Sequence, residues 1–306
     1  MSAAHAGPAD SAGHTSAWLA IINPRAGHRR SPRWSEAITR RLERELGAQV
    51  VFTQRPGHAR ALAASACHFE GLAVFGGDGT TADVVNGMAV DRQKLLLLAG
   101  GTGNGLARDL GLQSLDAAFA AVRANRLRHL DLIRVSFQSQ GQAESLLAIS
   151  TASIGFAAEV VVLANRFFKP LGALCYPLAA TLQSLRQAVF PLLVSIDGGA
   201  VVNYWLSNVL VNNTRHAGNF SAFRQADPGD GKMEVLLARA GAGPQLLHNL
   251  AVLTHTYFYA TASEFQARSL TIHLPTPRRL MIDGEVWDAV SALRFELLAG
   301  RLACVA

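Results

Sequence analysis

Four short apolar runs in the first hundred residues, each followed by a loop and then a helical pattern, leave this chain few folds to adopt. Residues 18–22 (WLAII) run into Asn23-Pro24-Arg25-Ala26-Gly27, and residues 50–53 (VVFT) lead to a loop ending at Gly57. Residues 72–75 (LAVF) run into Gly76-Gly77-Asp78-Gly79-Thr80, and residues 94–99 (KLLLLA) into Gly100-Gly101-Thr102-Gly103-Asn104. Between the first two runs Trp34, Ile38, Leu42 and Leu46 recur every four residues, with Ser31-Pro32 suited to a helix start and Gly47 to its end. Helices are expected again over 57–67 and 81–88. Strands alternating with helices this regularly predict a parallel sheet covered on both faces, a three-layer α/β domain.

The pattern changes after about residue 131. Strand-like runs crowd together over 132–137, 145–151, 192–196, 201–211, 233–238, 270–274, 279–282 and 293–298, and Asp197-Gly198-Gly199 reads as a hairpin turn. Helical patterns are inserted over 157–168, 177–189 and 244–259. With 306 residues, 50% of them hydrophobic, the chain can bury two cores. The expected division is a polar, disordered leader over 1–16, an α/β domain over 17–131 and a mostly antiparallel β domain over 132–298. Residues 299–306 are a candidate to pack back on the first domain.

Ligands of open α/β sheets sit at the carboxyl ends of the strands, where these loops fall. Glycine lets backbone N–H groups close around phosphate oxygens, and the helix N-termini that follow favour negative charge. Thr80 and Thr102 add hydroxyls, and Arg25, Arg29 and Arg30 add charge, so a polyphosphate ligand is the natural expectation. The formal net charge of +6 agrees with an anionic partner. Its arginines are spread along the chain rather than gathered in a stripe, which argues against nucleic acid. No P-loop, HExxH or GxSxG motif is present, and Gly101 to Leu106 is a poor dinucleotide fingerprint. Cys67, Cys175 and Cys304 form no CxxC pair, which suits a reducing cytoplasmic setting. The leader lacks a signal-peptide pattern. The most apolar stretch, residues 170–182, is too short and proline-broken to span a bilayer.

NPRAG at Asn23, GGDGT at Gly76, GGTGN at Gly100 and DGE at Asp283, in this order across nearly the whole chain, resemble the diacylglycerol kinase catalytic-domain family, which includes bacterial lipid kinases, sphingosine kinases and ceramide kinases. The resemblance implies a nucleotide-binding α/β domain followed by a β-sandwich carrying a lipid site, with ATP between them. It places Asn23, Pro24, Arg25, Ala26 and Gly27, together with Gly76, Gly77, Asp78, Gly79 and Thr80, around the phosphates. Thr53, Gly101, Thr102, Gly103 and Asn104 lie beside them. Asp78 would sit where Mg²⁺ and the transferred phosphate meet. The same resemblance makes Asp227-Pro228-Gly229-Asp230-Gly231-Lys232 a structural Mg²⁺ segment, with Asp227, Asp230 and the main-chain oxygen of Lys232 as ligands; read alone, it is a β-turn. It also raises Glu285 to proton acceptor with Asp283 beside it, and Asp78 is the rival for that role.

The chain departs from the family pattern in three places. Ala82-Asp83 stand where Asn-Glu is common, making Asp83 a shorter substitute. Gly105 replaces an acid, which brings Asp109 into view, and Arg224 stands near a usual proline. Phe167, Phe168, Leu171, Leu174, Tyr176, Leu178 and Leu182, edged by Arg166 and Lys169, are either core or a lipid entrance. The implied partners are ATP and a diacylglycerol- or sphingosine-like lipid met at a membrane surface. Localisation would then be cytoplasmic and peripheral, and a homodimer is compatible. Two rival readings stay open: an NAD kinase-like enzyme with a soluble acceptor, and a non-catalytic nucleotide- or lipid-binding regulator.

Overall fold

The computed structural model of the protein describes residues 17–26, 32–101, 103–168, 174–186, 188–217, 220–221, 223–239 and 261–306. The leader over 1–16, Gly27, Arg29, Arg30, Thr102, Lys169, Leu171 and the helix expected over 244–259 lie outside these residues.

The first half runs β1 (Trp18–Ile22), α1 (Pro32–Leu46), β2 (Gln49–Phe52), α2 (His58–Ser65), β3 (Gly71–Gly76), α3 (Asp78–Val85), β4 (Lys94–Ala99), α4 (Gly105–Asp109) and α5 (Leu115–Arg123). Strands β2, β1, β3 and β4 lie parallel in that order. All six residues of β3 are buried. Because side chains alternate between faces, burial at every position requires cover on both. Ile38 and Leu42 of α1 are buried as their spacing requires, Trp34 packs on Phe75 with ring centroids 4.8 Å apart, and Gly47 leaves the helix at φ 59°.

The second half runs β5 (Leu127–Ser139), β6 (Gln142–Ala148), β7 (Thr151–Gly155), α6 (Phe156–Leu163) with a π-helical continuation over Ala164–Phe168, and α7 (Cys175–Ser184). Then come β8 (Phe190–Ile196), β9 (Val202–Leu206), β10 (Asn208–Asn212), β11 (His216–Ala217), β12 (Phe220–Ser221), β13 (Met233–Arg239), β14 (Thr261–Ala267), β15 (Ser269–Ile282) and β16 (Glu285–Val305). The fold is mixed α/β about one large sheet, ordered β14-β13-β10-β7-β15-β16-β4-β3-β1-β2. Strands β5 and β6 branch from β16, and β8 and β9 from β15.

Strand β16 joins the halves. Its early residues pair antiparallel with β15, most of its length pairs with β5, and Cys304 and Val305 pair parallel with Leu95 and Leu96 of β4. One apolar cluster gathers Ile21, Phe75, Leu98 and Phe119 with Leu302 and Cys304; a second gathers Val135, Ile154, Val209, Leu280 and Phe295.

Several boundaries differ from the sequence expectation. Helix α3 begins at Asp78 rather than residue 81, because an acid suits a helix first turn and Gly79 is tolerated there. The run 145–151 is two strands, broken where the chain turns at Ile149 and Ser150, and 201–211 is broken at Ser207. The runs 270–274 and 279–282 are one strand, interrupted by register shifts between His273 and Leu280. Helix α5 and strand β14 have no counterpart in the sequence reading.

Candidate active site

Three strand ends converge. After β1 the Asn23 amide fixes the turn in two directions: Nδ2 donates to Thr80 Oγ1 (3.0 Å) and Oδ1 accepts from the Arg25 N–H (3.0 Å). The Asn23 backbone N–H donates to the Phe75 carbonyl (2.8 Å), and the Thr53 N–H to the Ile22 carbonyl (2.8 Å). Pro24 and Ala26 are half-buried and Arg25 is exposed.

Between the β3 and β4 ends only glycine fits. A Cβ on Gly101 would lie 2.4 Å from the Gly77 Cα, and one on Gly76 would lie 2.5 Å from the Thr80 Cβ. Gly79, in contrast, faces open space. Asn104, at φ 47°, closes its loop by accepting from the Gly101 N–H (2.9 Å) and donating to the Gly101 carbonyl (2.6 Å). Arg108 donates to the Gly103 carbonyl (3.2 Å), bringing a guanidinium to this face. Gly101→Ala is therefore expected to lower stability by about 1–3 kcal/mol through backbone overpacking. A thermal midpoint equal to wild type would show that these loops do not meet.

Helix α3 opens into this space. Its first intrahelical bond is Thr81 N–H to the Gly77 carbonyl (3.1 Å), so the amides of Asp78, Gly79 and Thr80 precede any helical partner and form an anion-favouring end. Asp78 Oδ1 accepts from the Gly105 N–H (3.0 Å), tying the β3 loop to α4; no hydrogen bond from the described residues reaches Oδ2. Burial raises the Asp78 carboxyl above its ordinary range, against the Gly105 amide and the Arg108 charge, while the Asp109 charge adds to the rise.

The opposite wall comes from the second half. The β15–β16 hairpin turns on Asp283 and Gly284, both at positive φ. The Asp283 carboxylate is buried and accepts three backbone N–H groups: Ile149 on Oδ2 (2.8 Å), and Ser150 (3.0 Å) and Thr151 (2.9 Å) on Oδ1. Burial pushes it up to about 6 despite those amides, and the charge of Asp78 contributes. With both oxygens engaged, Asp283 holds the β6–β7 turn. Glu285 is exposed at the start of β16. Burial and then the Glu285 charge raise Asp83, while Arg60 and the Gly57 amide pull it back. Burial likewise raises the Tyr176 phenol at the start of α7, where the Asp78 charge also reaches it. Charge interactions thus link Asp78 with Asp283 and Asp83 with Glu285 across the gap between α3 and the β15–β16 hairpin.

Three contacts that sequence reasoning did not foresee brace the surroundings of this gap. The Asn86 amide at the end of α3 donates to the Leu147 carbonyl (2.8 Å) and accepts from the Leu147 N–H (2.9 Å), clasping α3 to β6. Asp109 of α4 accepts from the Arg215 N–H (2.7 Å) and meets His216 Nδ1 at 2.5 Å. Buried Asp131 accepts from the Gly231 (2.7 Å) and Gly300 (2.6 Å) amides.

That last contact bears on the segment from Asp227 to Lys232. The Arg128 guanidinium donates to Asp227 Oδ1, which also accepts from the Gly229 N–H (2.9 Å), and Asp230 Oδ1 accepts from the Lys232 N–H (3.0 Å). Among the described residues no three His, Cys, Asp or Glu side chains are grouped to hold a metal ion. The Oδ1 of each proposed carboxylate is thus engaged, Asp227 by a guanidinium and an amide and Asp230 by an amide, while no hydrogen bond from the described residues reaches either Oδ2.

Residues 17–135 match the diacylglycerol kinase catalytic domain. A Bacillus subtilis protein named "Putative lipid kinase YtlR" is 27% identical over 290 residues, covering 88% of this chain and 93% of that one. A Mycobacterium tuberculosis diacylglycerol kinase is 26% identical over 264 residues, covering 84% of each. The fold is shared with a crystal structure of a "putative diacylglycerol kinase" from Bacillus anthracis, with a TM-score of 0.74 at 20% identity over 98% of both chains.

Proposed function

We propose, from the diacylglycerol kinase catalytic domain that residues 17–135 carry, that this chain is an ATP-dependent lipid kinase moving the γ-phosphoryl group of ATP to the hydroxyl of a diacylglycerol- or sphingosine-like lipid. One observation supports this reading most: the β1, β3 and β4 ends close bare backbone around the first turn of α3, with Asp78 set in that turn. Phosphoryl transfer needs positioning and charge neutralisation more than covalent chemistry.

Each residue then has a part. Asn23 and Thr80 hold the β1 and α3 ends together. The amides of Asp78, Gly79, Thr80 and Gly103 receive phosphate oxygens, Gly101 lets the β4 loop approach them, and Arg25 and Arg108 supply positive charge. Mg²⁺ commonly takes one or two carboxylates, substrate phosphates and water, and the unengaged Oδ2 of Asp78 fits that share; bound there, the ion would neutralise phosphate charge. Glu285, exposed and free of any hydrogen bond from the described residues, accepts the proton of the lipid hydroxyl as its oxygen bonds to phosphorus and ADP leaves. Asp283 positions the wall on which Glu285 stands. The acceptor is met at a membrane surface, in keeping with the absence, among the described residues, of a helix long and apolar enough to cross one.

The test is incubation with Mg²⁺-ATP and a mixed-micelle panel of diacylglycerol, monoacylglycerol, sphingosine and ceramide, with NAD as soluble control, read by mass spectrometry. A lipid gaining one phosphate is expected. Glu285→Gln should lower kcat by about 10²–10⁴-fold, the usual range for a general base, with ATP affinity unchanged. Phosphorylated NAD would move the reading to a soluble acceptor. ATP binding without any product, even with total lipid extract, would leave a regulator.

A further inference from the structure

The far end of α7 holds a second feature. A cavity of about 160 Å³ lies between the start of α6, the end of α7 and strand β15, lined among others by Phe156, Glu159, Arg186, Phe190, Arg278 and Arg279. Arg279 is matched by Glu159 (2.6 Å) and Asp288 (2.8 Å). The other two arginines have no ion pair among the described residues. The Arg278 guanidinium lies over the Phe190 ring, 4.6 Å from its centroid, and its Nε is buried without a hydrogen-bond partner. A buried donor left unpaired costs free energy unless something supplies the acceptor.

An apolar stripe leads to this cavity. Leu174, Leu178, Leu182 and Leu185 are spaced four, four and three residues apart, which places them on one face of α7. Leu174, Leu178 and Leu185 are 59%, 40% and 70% exposed. The helix is roughly 15 Å long, with Tyr176 at its start within reach of the Asp78 charge and Arg186 just past its end. Arg278 stands five residues before Asp283, up to roughly 17 Å of extended chain from that hairpin turn. The arginines are therefore set back from that turn.

We propose that this cavity takes the phosphate of an anionic phospholipid, with the leucine face of α7 lying on the acyl region of the same bilayer. The phosphate oxygens pair with Arg186 and with the part of the Arg278 guanidinium that lines the cavity, and the guanidinium fork suits bidentate phosphate contact. The headgroup site is separate from the acceptor hydroxyl and holds α7 against the membrane with its start towards Asp78. This deepens the membrane-surface part of the proposed function. Its test uses neither ATP nor acceptor, so the two readings can fail separately.

The experiment is co-sedimentation of the full chain with phosphatidylcholine vesicles, with and without phosphatidylglycerol, alongside calorimetric titration of inorganic phosphate without vesicles. Wild type should sediment with the anionic vesicles and far less with neutral ones. Arg186→Gln and Arg278→Gln should each weaken that partition about fivefold, the usual effect of one arginine at an anionic surface. Leu185→Ser should weaken it too. Arg44→Gln, an equal charge loss on α1, should leave it unchanged. Arg186 and Leu185 are exposed, so their variants keep the test decisive if Arg278→Gln does not fold. Equal loss in Arg44→Gln, equal sedimentation with neutral vesicles, or phosphate binding through these arginines with no vesicle preference would each overturn the proposal.

Discussion

Asp78→Asn should lower kcat for lipid phosphorylation by about 10³-fold, within the range seen when a charge-stabilising or proton-handling group is removed, while the protein stays folded. Asparagine keeps the oxygen that accepts from the Gly105 N–H, so the tie between the β3 loop and α4 survives. What goes is the charge, and with it any claim on Mg²⁺ or a proton. Stability should not fall, because Asp78 is desolvated and faces Asp109 and Asp283. The pH profile supplies a second readout. Burial raises the Asp78 carboxyl, so its ionised form is lost as pH falls through a point above the ordinary carboxylate range. Wild-type kcat should therefore decline on the acid side at a higher pH than a solvent-exposed aspartate would give, and the residual activity of Asp78→Asn should lack that limb. A variant with near wild-type turnover would remove Asp78 from the mechanism. An acid limb in the ordinary range would mean that burial does not govern its titration.

The first half of the molecule was legible because its signals are local. Strands β1, β3 and β4 announce themselves as apolar runs, and the glycines at 76, 77 and 101 report a backbone approach that the structure contains. The turn-fixing role of Asn23 is also local in kind, since the NPRAG sequence places its amide at the strand end, bonded to Thr80 and the Arg25 N–H. What stayed hidden depends on pairs far apart in sequence. Asn86 meets Leu147 across 61 positions, His216 meets Asp109 across 107, and Asp131 meets Gly300 across 169. Nothing in the neighbourhood of any of these residues marks its partner. Asp131 drew notice only as a composition boundary, although it anchors the Asp227 segment to the C-terminal strand. The breaks at Ile149 and Ser207 were missed for a related reason: apolar residues continue through both, and the chain turns there to satisfy a distant carboxylate or helix end rather than a local breaker.

Asp283→Ala tests whether the DGE acids divide into a positioning group and a reacting one. Removing the carboxylate orphans three amides, those of Ile149, Ser150 and Thr151, in a turn whose residues are all buried. Alanine is also less at ease than aspartate at φ 47°. Breaking a buried charge away from its partners costs about 3–5 kcal/mol, so the thermal midpoint should drop by on the order of 5–10 °C. Asp283→Asn keeps one accepting oxygen and should recover part of that loss. The pH dependence has a definite sign. The folded carboxyl is raised to about 6, so the native state takes up a proton before the unfolded chain does. The stability it contributes is greatest below the unfolded carboxylate range and declines as pH rises through about 6. The gap between wild type and Asp283→Ala should accordingly widen as pH falls from about 6 towards the ordinary carboxylate value. Glu285→Gln should behave in the opposite way, losing turnover with no change in midpoint. If Asp283→Ala instead kept its midpoint and lost only kcat, its carboxylate would be acting on the substrate, and the division between the two acids would be reversed.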